Sequence, residues 1–483
     1  MELQKLKNSI KGQVFTEDEI LDYYSVDSSF YQIRPKAVVI PKTVSDIAKT
    51  MRFATKNKIS VTPRGAGTGL VGSALNDGII IDMKNFDKIK IGKDFIVVGA
   101  GTTKGKLDQE LDKHKKFLGP NPSVGPYCTI GGMIATNASG SRSIKYGSTI
   151  DNLLEVTIVT GKGKTVKLPS KSHLADSVLR LAKAIDKNKF PQVSKNSCGY
   201  RLDTISNYKD SHKVIAASEG TLGIIVSAKL RVFKLPKSRT LLVLGYGSIK
   251  EAIEDCVNLV KLLPSALEFV DYSTMKNFEA KFPKKINCLL FVEFDSQIHN
   301  SVSRLKAISV GKILRKLDDT KSIAKWWNYR NSALYFSLKN LLAGQSLPHI
   351  IEDATVPIEK LQELILVAQS LPKIFGAKLV MYGHAGNGNI HIRLAMQKKN
   401  RSTINKVAKV FFSRVIQLGG TITGEHGDGI ARTDYVRLQY GANIYKTFIK
   451  LKKQFDPKLI LNPNKIVRAH GKLAISSLNE VRP

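Results

Sequence analysis

The sequence predicts an α+β protein of more than one domain, and three observations predict it. The chain has 483 residues, about three times the usual length of one domain. Its first half reads as short strands alternating with helices around glycine-rich stretches, and from about Arg239 the texture changes to longer apolar strands. Hydrophobic residues make up 42% and charged residues 24%, enough apolar surface to bury a core and too much for a disordered chain.

Taken in order, Thr43 caps a helical pattern of Val44, Ile47, Met51 and Ala54, with Asp46 three residues after the cap. Lys56-Asn57-Lys58 ends that helix, and Ile59 to Thr62 follows as a strand. Asn76-Asp77-Gly78 is a turn into strand Ile79 to Asp82, and Phe95 to Val98 is another strand, followed by a helix from about Lys104. Leu153 to Thr160 and Thr165 to Leu168 flank Gly161-Lys162-Gly163-Lys164 as a hairpin. In the second half, strand Leu241 to Leu244 leads to a helix over Glu251 to Leu263, then strands at Ala266 to Val270 and Cys288 to Phe294. Alternation continues to about Ile392, and a helix ending near Gln454 precedes Asp456-Pro457 and Asn462-Pro463.

Several function classes drop out. No apolar run approaches the roughly 18 residues of a membrane span. Met1 to Lys11 has no apolar run and carries Glu2, so no signal peptide is expected. Cys128, Cys198, Cys256 and Cys288 never form C-x-x-C, which argues against disulfides, a zinc ribbon or an iron–sulfur cluster and for a cytoplasmic setting. The net charge of +35 suggests anionic partners, but the lysines are scattered and no nucleic-acid motif accompanies them. A solvated lysine-rich surface is the reading taken, with a functional basic face as the alternative.

Gly67-Thr68-Gly69-Leu70-Val71-Gly72 matches the dinucleotide fingerprint G-x-G-x-x-G, but that motif must open a helix. Here the turn at Asn76 and a strand follow, which leaves no room for one. Pro63 to Gly69 still makes sense as a nest of N–H groups around phosphate oxygens, or else as a tight loop between strands. Two more small-residue stretches, Gly119 to Gly140 closing with Tyr146-Gly147, and Ser218 to Ile225, suit backbone packed against a flat ligand.

Late in the chain, His384-Ala385-Gly386-Asn387-Gly388-Asn389-Ile390-His391 sets two histidines about a turn that can bring both to one side. Gly424-Glu425-His426-Gly427-Asp428-Gly429 places an acid beside a base. Two imidazoles and a carboxylate are a typical set for Zn²⁺ or another divalent transition ion. Unrelated hydrogen-bonded histidines are the alternative.

Together these motifs, in order from Tyr24-Ser25-Val26-Asp27 to Leu461-Asn462-Pro463, resemble the FAD-linked 2-hydroxyacid dehydrogenases of the vanillyl-alcohol oxidase superfamily. That branch contains D-lactate dehydrogenase, the glycolate oxidase flavin subunit and D-2-hydroxyglutarate dehydrogenase. The resemblance implies a two-subdomain FAD-binding domain of the PCMH type over residues 1–236 and an α+β substrate (cap) domain over 237–430. A helical C-terminal segment, 431–483, would return to the FAD domain. It implies that Arg64, Gly65, Ala66, Gly67, Thr68 and Gly69 wrap the pyrophosphate. Gly132, Asn137, Gly140 and Gly147 would line the flavin ring and ribityl chain. Glu219, Gly223 and Ile225 would lie near the adenosine, with Asn462 completing the cofactor site. Thr68 stands where some relatives attach flavin through histidine, so the FAD is expected to be non-covalent.

The same resemblance makes His384, His391 and Glu425 ligands of a divalent metal, expected to be zinc, and His426 the general base at its ordinary pKa near ~6.5. Arg330 falls where relatives hold the substrate carboxylate; an arginine on a solvated helix face is the alternative. Ile350-Ile351-Glu352 occupies the place of a lysine found in dicarboxylate-specific members, which favours lactate or glycolate over 2-hydroxyglutarate. Electrons would pass to a separate acceptor: a quinone, a cytochrome, an electron-transfer flavoprotein or an iron–sulfur subunit. A peripheral contact with the inner face of the membrane and a homodimer are further expectations. The competing readings are a non-redox enzyme similar to alkylglycerone-phosphate synthase and a basic binding protein on an idle flavin fold.

Overall fold

The computed structural model describes residues 2–397 and 401–468. Four strands, β1 (Gln13–Phe15), β2 (Ala37–Ile40), β3 (Val61–Arg64) and β4 (Ile79–Asp82), form a first sheet in the order β1-β2-β4-β3. The β2, β3 and β4 strands run parallel, and β2 and β4 are buried along their length, as continuous apolar runs in a covered parallel sheet should be. Helix α1 (Val44–Asn57) begins with the expected capping box: the Thr43 hydroxyl accepts from the Asp46 N–H, and the Asp46 carboxylate accepts from the Thr43 N–H. The strand after it starts at Val61 rather than Ile59, because the Ile59 N–H donates back to the helix carbonyl of Ala54.

No helix separates β3 from β4, in keeping with rejection of the dinucleotide fingerprint. A second, five-stranded sheet follows from β5 (Ile89–Ile91), β6 (Phe95–Gly99), β7 (Leu153–Val159), β8 (Thr165–Leu168) and β9 (Ile224–Arg231), in the order β5-β6-β9-β7-β8. Between β6 and β7 lies the short helix α2 (Ile130–Thr136), which the Thr129 side chain caps.

The second half builds one eight-stranded sheet from β10 (Thr240–Tyr246), β11 (Ala266–Asp271), β12 (Cys288–Phe294), β13 (Lys312–Leu317), β14 (Gln345–Ser346), β15 (Ala354–Thr355), β16 (Ala377–His384) and β17 (Asn389–Gln397). Its order is β13-β10-β12-β11-β16-β17-β14, with β15 also paired to β17. Helix α3 (Thr320–Asn331) packs Trp326 and Trp327 against Phe291 of β12. One apolar core runs unbroken from Ile158 of the second sheet through Leu267 to Ile390 of the third, so the two halves are packed as one body.

The last helix, α4 (Gly429–Phe455), carries the chain back to the first half. Its buried Lys452 donates to the carbonyls of Thr221 and Leu461 and to the Asp456 carboxylate. Of the expected C-terminal segment, residues 469–483 lie outside the described residues.

Candidate active site

A single cavity runs between the two halves, from the loop after β3 to the β16–β17 hairpin. At one end, Arg64, Gly65, Ala66, Gly67, Thr68 and Gly69 line it. The Arg64 guanidinium donates to the carbonyls of Tyr24 and Val26 and so pins the loop from behind. Gly67 has φ of +70°, and a Cβ there would meet that guanidinium at 2.5 Å. Gly65 lies so close to α2 that a Cβ would stand 2.1 Å from Thr129 Oγ1. Among the described residues, the N–H groups of Gly65 to Gly69 donate to no protein acceptor. Free amides in a glycine turn facing a cavity are an anion nest, so this end fits a pyrophosphate.

Gly132, Glu219, Gly223 and Ile225 also line the cavity, as expected. Four of the expected cofactor residues do not. Asn137 caps α2 and binds the Asn196 carbonyl and the Ile150 N–H. Gly140 pairs with Asn121, Gly147 ends the Ser143–Tyr146 turn of helix, and Asn462 lies behind the wall. Asn462 joins Thr62, Ser73 and the Glu219 carbonyl. These four shape the groove rather than line it. The Glu219 carboxylate is also committed to the protein: it accepts from the Ser73 hydroxyl and from the N–H groups of Asp428 and Gly429. It ties the nucleotide end to the loop that carries His426.

The other end brings together every expected catalytic and metal residue: Arg330, His384, His391, Glu425 and His426 all line the cavity. A separation of seven residues would put His384 and His391 on opposite faces of one strand. The hairpin reverses the chain, pairing Tyr382 with His391 and His384 with Asn389, so both imidazoles share a face. Their rings lie 5.3 Å apart, and His391 stacks on His426 at 5.1 Å.

Hydrogen bonding sets where the lone pairs point. His391 Nδ1 is 3.1 Å from the Glu352 carbonyl, which can only accept, so Nδ1 carries the proton and Nε2 is bare. That Nε2 is 3.5 Å from Glu425 Oε1. His384 Nδ1 bonds Glu268 Oε1 at 2.7 Å, while its Nε2 meets the same Glu425 oxygen at 2.8 Å. His384 Nε2, His391 Nε2 and Glu425 Oε1 thus converge on one point, a nitrogen–nitrogen–oxygen set that fits a divalent metal. Burial pushes His391 down to about 4, leaving it neutral. Burial opposes ionisation of Glu425, but Lys195 and His384 outweigh it and hold the carboxyl well below its usual range. Its Oε2 accepts from Ser139 and Lys195. Asp353, His391, Glu425 and His426 also lie close enough to share an ion. Asp353, however, is outside the cavity lining and already accepts from Asn389, Thr423 and the N–H groups of Glu425 and His426.

His426 requires a correction. Its ordinary pKa was expected, but Glu352 contacts Nδ1 at 2.9 Å and Asp353 stands behind it. Burial favours the neutral ring, yet the charges of Glu352 and then Asp353 outweigh it and push His426 up to about 9. With Nδ1–H given to Glu352, Nε2 is the atom left to handle a proton.

Arg330, at the end of α3, is 3% exposed, so it is no solvated helix residue. Its Nη2 approaches Glu268 Oε2 to 2.5 Å, off the N–H axis, making an ion contact rather than a hydrogen bond; its Nε has no partner among the described residues. Burial would raise the Glu268 pKa, but Arg330 and His384 bring it to about 2.

Glu268, Glu352, Asp353, Tyr382 and Arg393 were not singled out from the sequence. For the charged ones the signal was a charge within or beside an apolar run: Glu268 amid Ala266 to Val270, Glu352-Asp353 after Ile350-Ile351, and Arg393 between Ile392 and Leu394.

A fold of two packed halves, with an anion nest opening on clustered imidazoles and carboxylates, defines a two-domain flavoprotein. The chain belongs to the FAD-linked oxidase family: residues 35–169 match its FAD binding domain and residues 235–466 match "FAD linked oxidases, C-terminal domain". A D-lactate dehydrogenase of Anaerostipes hadrus is 30% identical, over 96% of each chain. A D-2-hydroxyglutarate dehydrogenase of Pseudomonas putida is 28% identical over 97% of this chain, which spans 52% of that longer protein. Among solved structures, p-cresol methylhydroxylase with substrate bound superposes with a TM-score of 0.72 at 13% identity, covering 98% of this chain and 97% of the other. At that identity the likeness speaks for the fold alone.

Proposed function

We propose that this chain is an FAD-dependent dehydrogenase that oxidises a small 2-hydroxy acid, in the D configuration, to the 2-oxo acid. The observation that carries the reading is the meeting of the glycine nest and the His384, His391, Glu425 and His426 cluster in one cavity. The glycine loop from Arg64 to Gly69 would hold FAD without a covalent link, and the flavin would supply the hydride acceptor for the chemistry. His384, His391 and Glu425 would hold a divalent cation, zinc being our choice, which would supply positive charge beside the substrate hydroxyl.

The chain's own residues do the rest. The Arg330 fork binds the carboxylate and fixes which face of Cα is presented. His426 Nε2 takes the hydroxyl proton as the C=O bond forms, while Glu352 keeps the ring oriented through Nδ1. Ser139 and Lys195 hold Glu425, and Glu268 holds His384. Burial of the cluster keeps water away from the reacting carbon.

We assign residues 1–236 to the FAD domain, 237–430 to the substrate domain and 431–483 to the returning segment. Electrons leave to a separate acceptor. Among the described residues no helix is long and apolar enough to cross a membrane, and we propose a peripheral contact if the acceptor is a quinone. The test is anaerobic: purified protein should be yellow and lose its flavin absorbance on addition of a 2-hydroxy acid. Flavin that stays oxidised against every hydroxy acid would refute the reading and favour the non-redox alternative.

A further inference from the structure

We infer that Arg393 is a second anion-binding residue of this site, and that the substrate is a 2-hydroxy dicarboxylate. The inference rests on the hydroxy-acid reading and adds the second carboxylate to it. Arg393 stands two residues after His391 on β17, hence on the same face of the hairpin. It lines the cavity and is 2% exposed.

Its own partners do not satisfy it. Nε donates to the Tyr382 hydroxyl at 3.2 Å, Nη2 lies 3.4 Å from Glu352 Oε2, and Nη1 has no partner among the described residues. Glu352 is a poor counter-ion for it, because that carboxylate already bonds Arg432 and His426. One acid is thus shared by three cations. A buried guanidinium with an unfilled donor is costly, and an anion from the ligand would relieve it.

Arg330, also beside Tyr382, is in the same condition. Its Cζ sits 5.7 Å from the Tyr382 ring centroid, and its Nε is unfilled. Two guanidiniums contact one tyrosine, both lining one cavity and both short of an acceptor. A monocarboxylate satisfies one of them; a dicarboxylate satisfies both. This reverses the preference drawn from Ile350-Ile351-Glu352, which asked only whether a lysine stood at that place.

The experiment compares D-malate and D-2-hydroxyglutarate with D-lactate and glycolate on the purified full-chain flavoprotein, for the wild type and Arg393→Met. A charge-assisted hydrogen bond corresponds to roughly 10- to 150-fold in affinity. The wild type should favour dicarboxylates in kcat/KM by at least about 10-fold. Arg393→Met should lose at least about 10-fold more kcat/KM on dicarboxylates than on lactate. Equal losses on both classes, or wild-type preference for monocarboxylates, would overturn the inference. If Arg393→Met does not fold, the wild type alone decides through flavin difference spectra with unreactive acids: succinate should bind more tightly than propionate, and the reverse order refutes the inference. Bleaching by lactate or glycolate alone sinks only the second carboxylate; no bleaching by any hydroxy acid sinks the underlying reading as well.

Discussion

Glu268 offers the sharpest test of how the site is assembled, because one buried carboxylate serves two neighbours with different tasks. One oxygen accepts from His384 Nδ1 at 2.7 Å, and the other faces Arg330 Nη2 at 2.5 Å. Glu268→Gln keeps the shape but replaces one acceptor by a donor. If the amide oxygen stays toward His384, the NH₂ confronts the Arg330 guanidinium. If the amide flips, NH₂ donates to Nδ1 and moves the His384 proton to Nε2, the atom that should bind metal. Either orientation damages one function. Loss of an outer partner of a metal-ligating histidine costs about 10- to 100-fold in metal affinity, and loss of a charge-assisted contact costs about 1.5–3 kcal/mol. Zn²⁺ or Mn²⁺ titration against a competing chelator, with steady-state kinetics alongside, should therefore give a loss of at least ~10-fold in metal affinity or kcat/KM. Thermal unfolding should also fall, since breaking a buried ion pair costs about 3–5 kcal/mol. Both quantities within twofold of wild type would refute the claim that Glu268 orients the site.

Other outcomes follow from the same geometry. His426→Ala should lower kcat by about 10²- to 10⁴-fold with full FAD content; turnover within fivefold of wild type would remove His426 as the base. Burial pushes Asp271 up to about 6, outweighing the hydrogen bonds it accepts from the Met381 and Thr274 N–H groups. A carboxyl whose folded pKa is raised contributes stability below about pH 4 that is lost as the pH rises through 6. Asp271→Asn should then flatten the pH profile of Tm between those values relative to wild type, by up to about 3 kcal/mol; parallel profiles would contradict this. Denaturation should release all the flavin, since the loop has Thr68 and no histidine; colour retained on the polypeptide would show a covalent link.

Most of the local architecture was legible. The Thr43–Asp46 box, the Ile79 to Asp82 strand and the Cys288 to Phe294 strand declare themselves through capping chemistry and apolar runs, which depend on near neighbours. The site was legible where it is written in short motifs: His384, His391, Glu425 and His426 lie within two glycine-rich turns. Its electrostatics were not. Glu352 meets His426 across 74 positions, and Glu268 meets His384 across 116. No local pattern announces such pairs, so the raised basicity of His426 could not be read from its neighbours. Asn137, Gly140 and Gly147 were expected to line the flavin ring and ribityl chain, whereas each holds a positive φ outside the cavity lining; a sequence does not say whether such a residue faces a ligand or braces the wall behind it.

Asn462 bears on how the molecule is made. It bonds Thr62 across 400 positions and closes the back of the nucleotide groove. At ribosomal speeds of about 5–20 residues per second, the early strand waits roughly 20–80 s for that partner to emerge. Throughout that interval the coenzyme's berth lacks its rear latch. Nascent chains should therefore take up flavin only once Asn462 has emerged, and a stop codon shortly before Asn462 should yield colourless, protease-sensitive product even though every group assigned to the chemistry has already been synthesised.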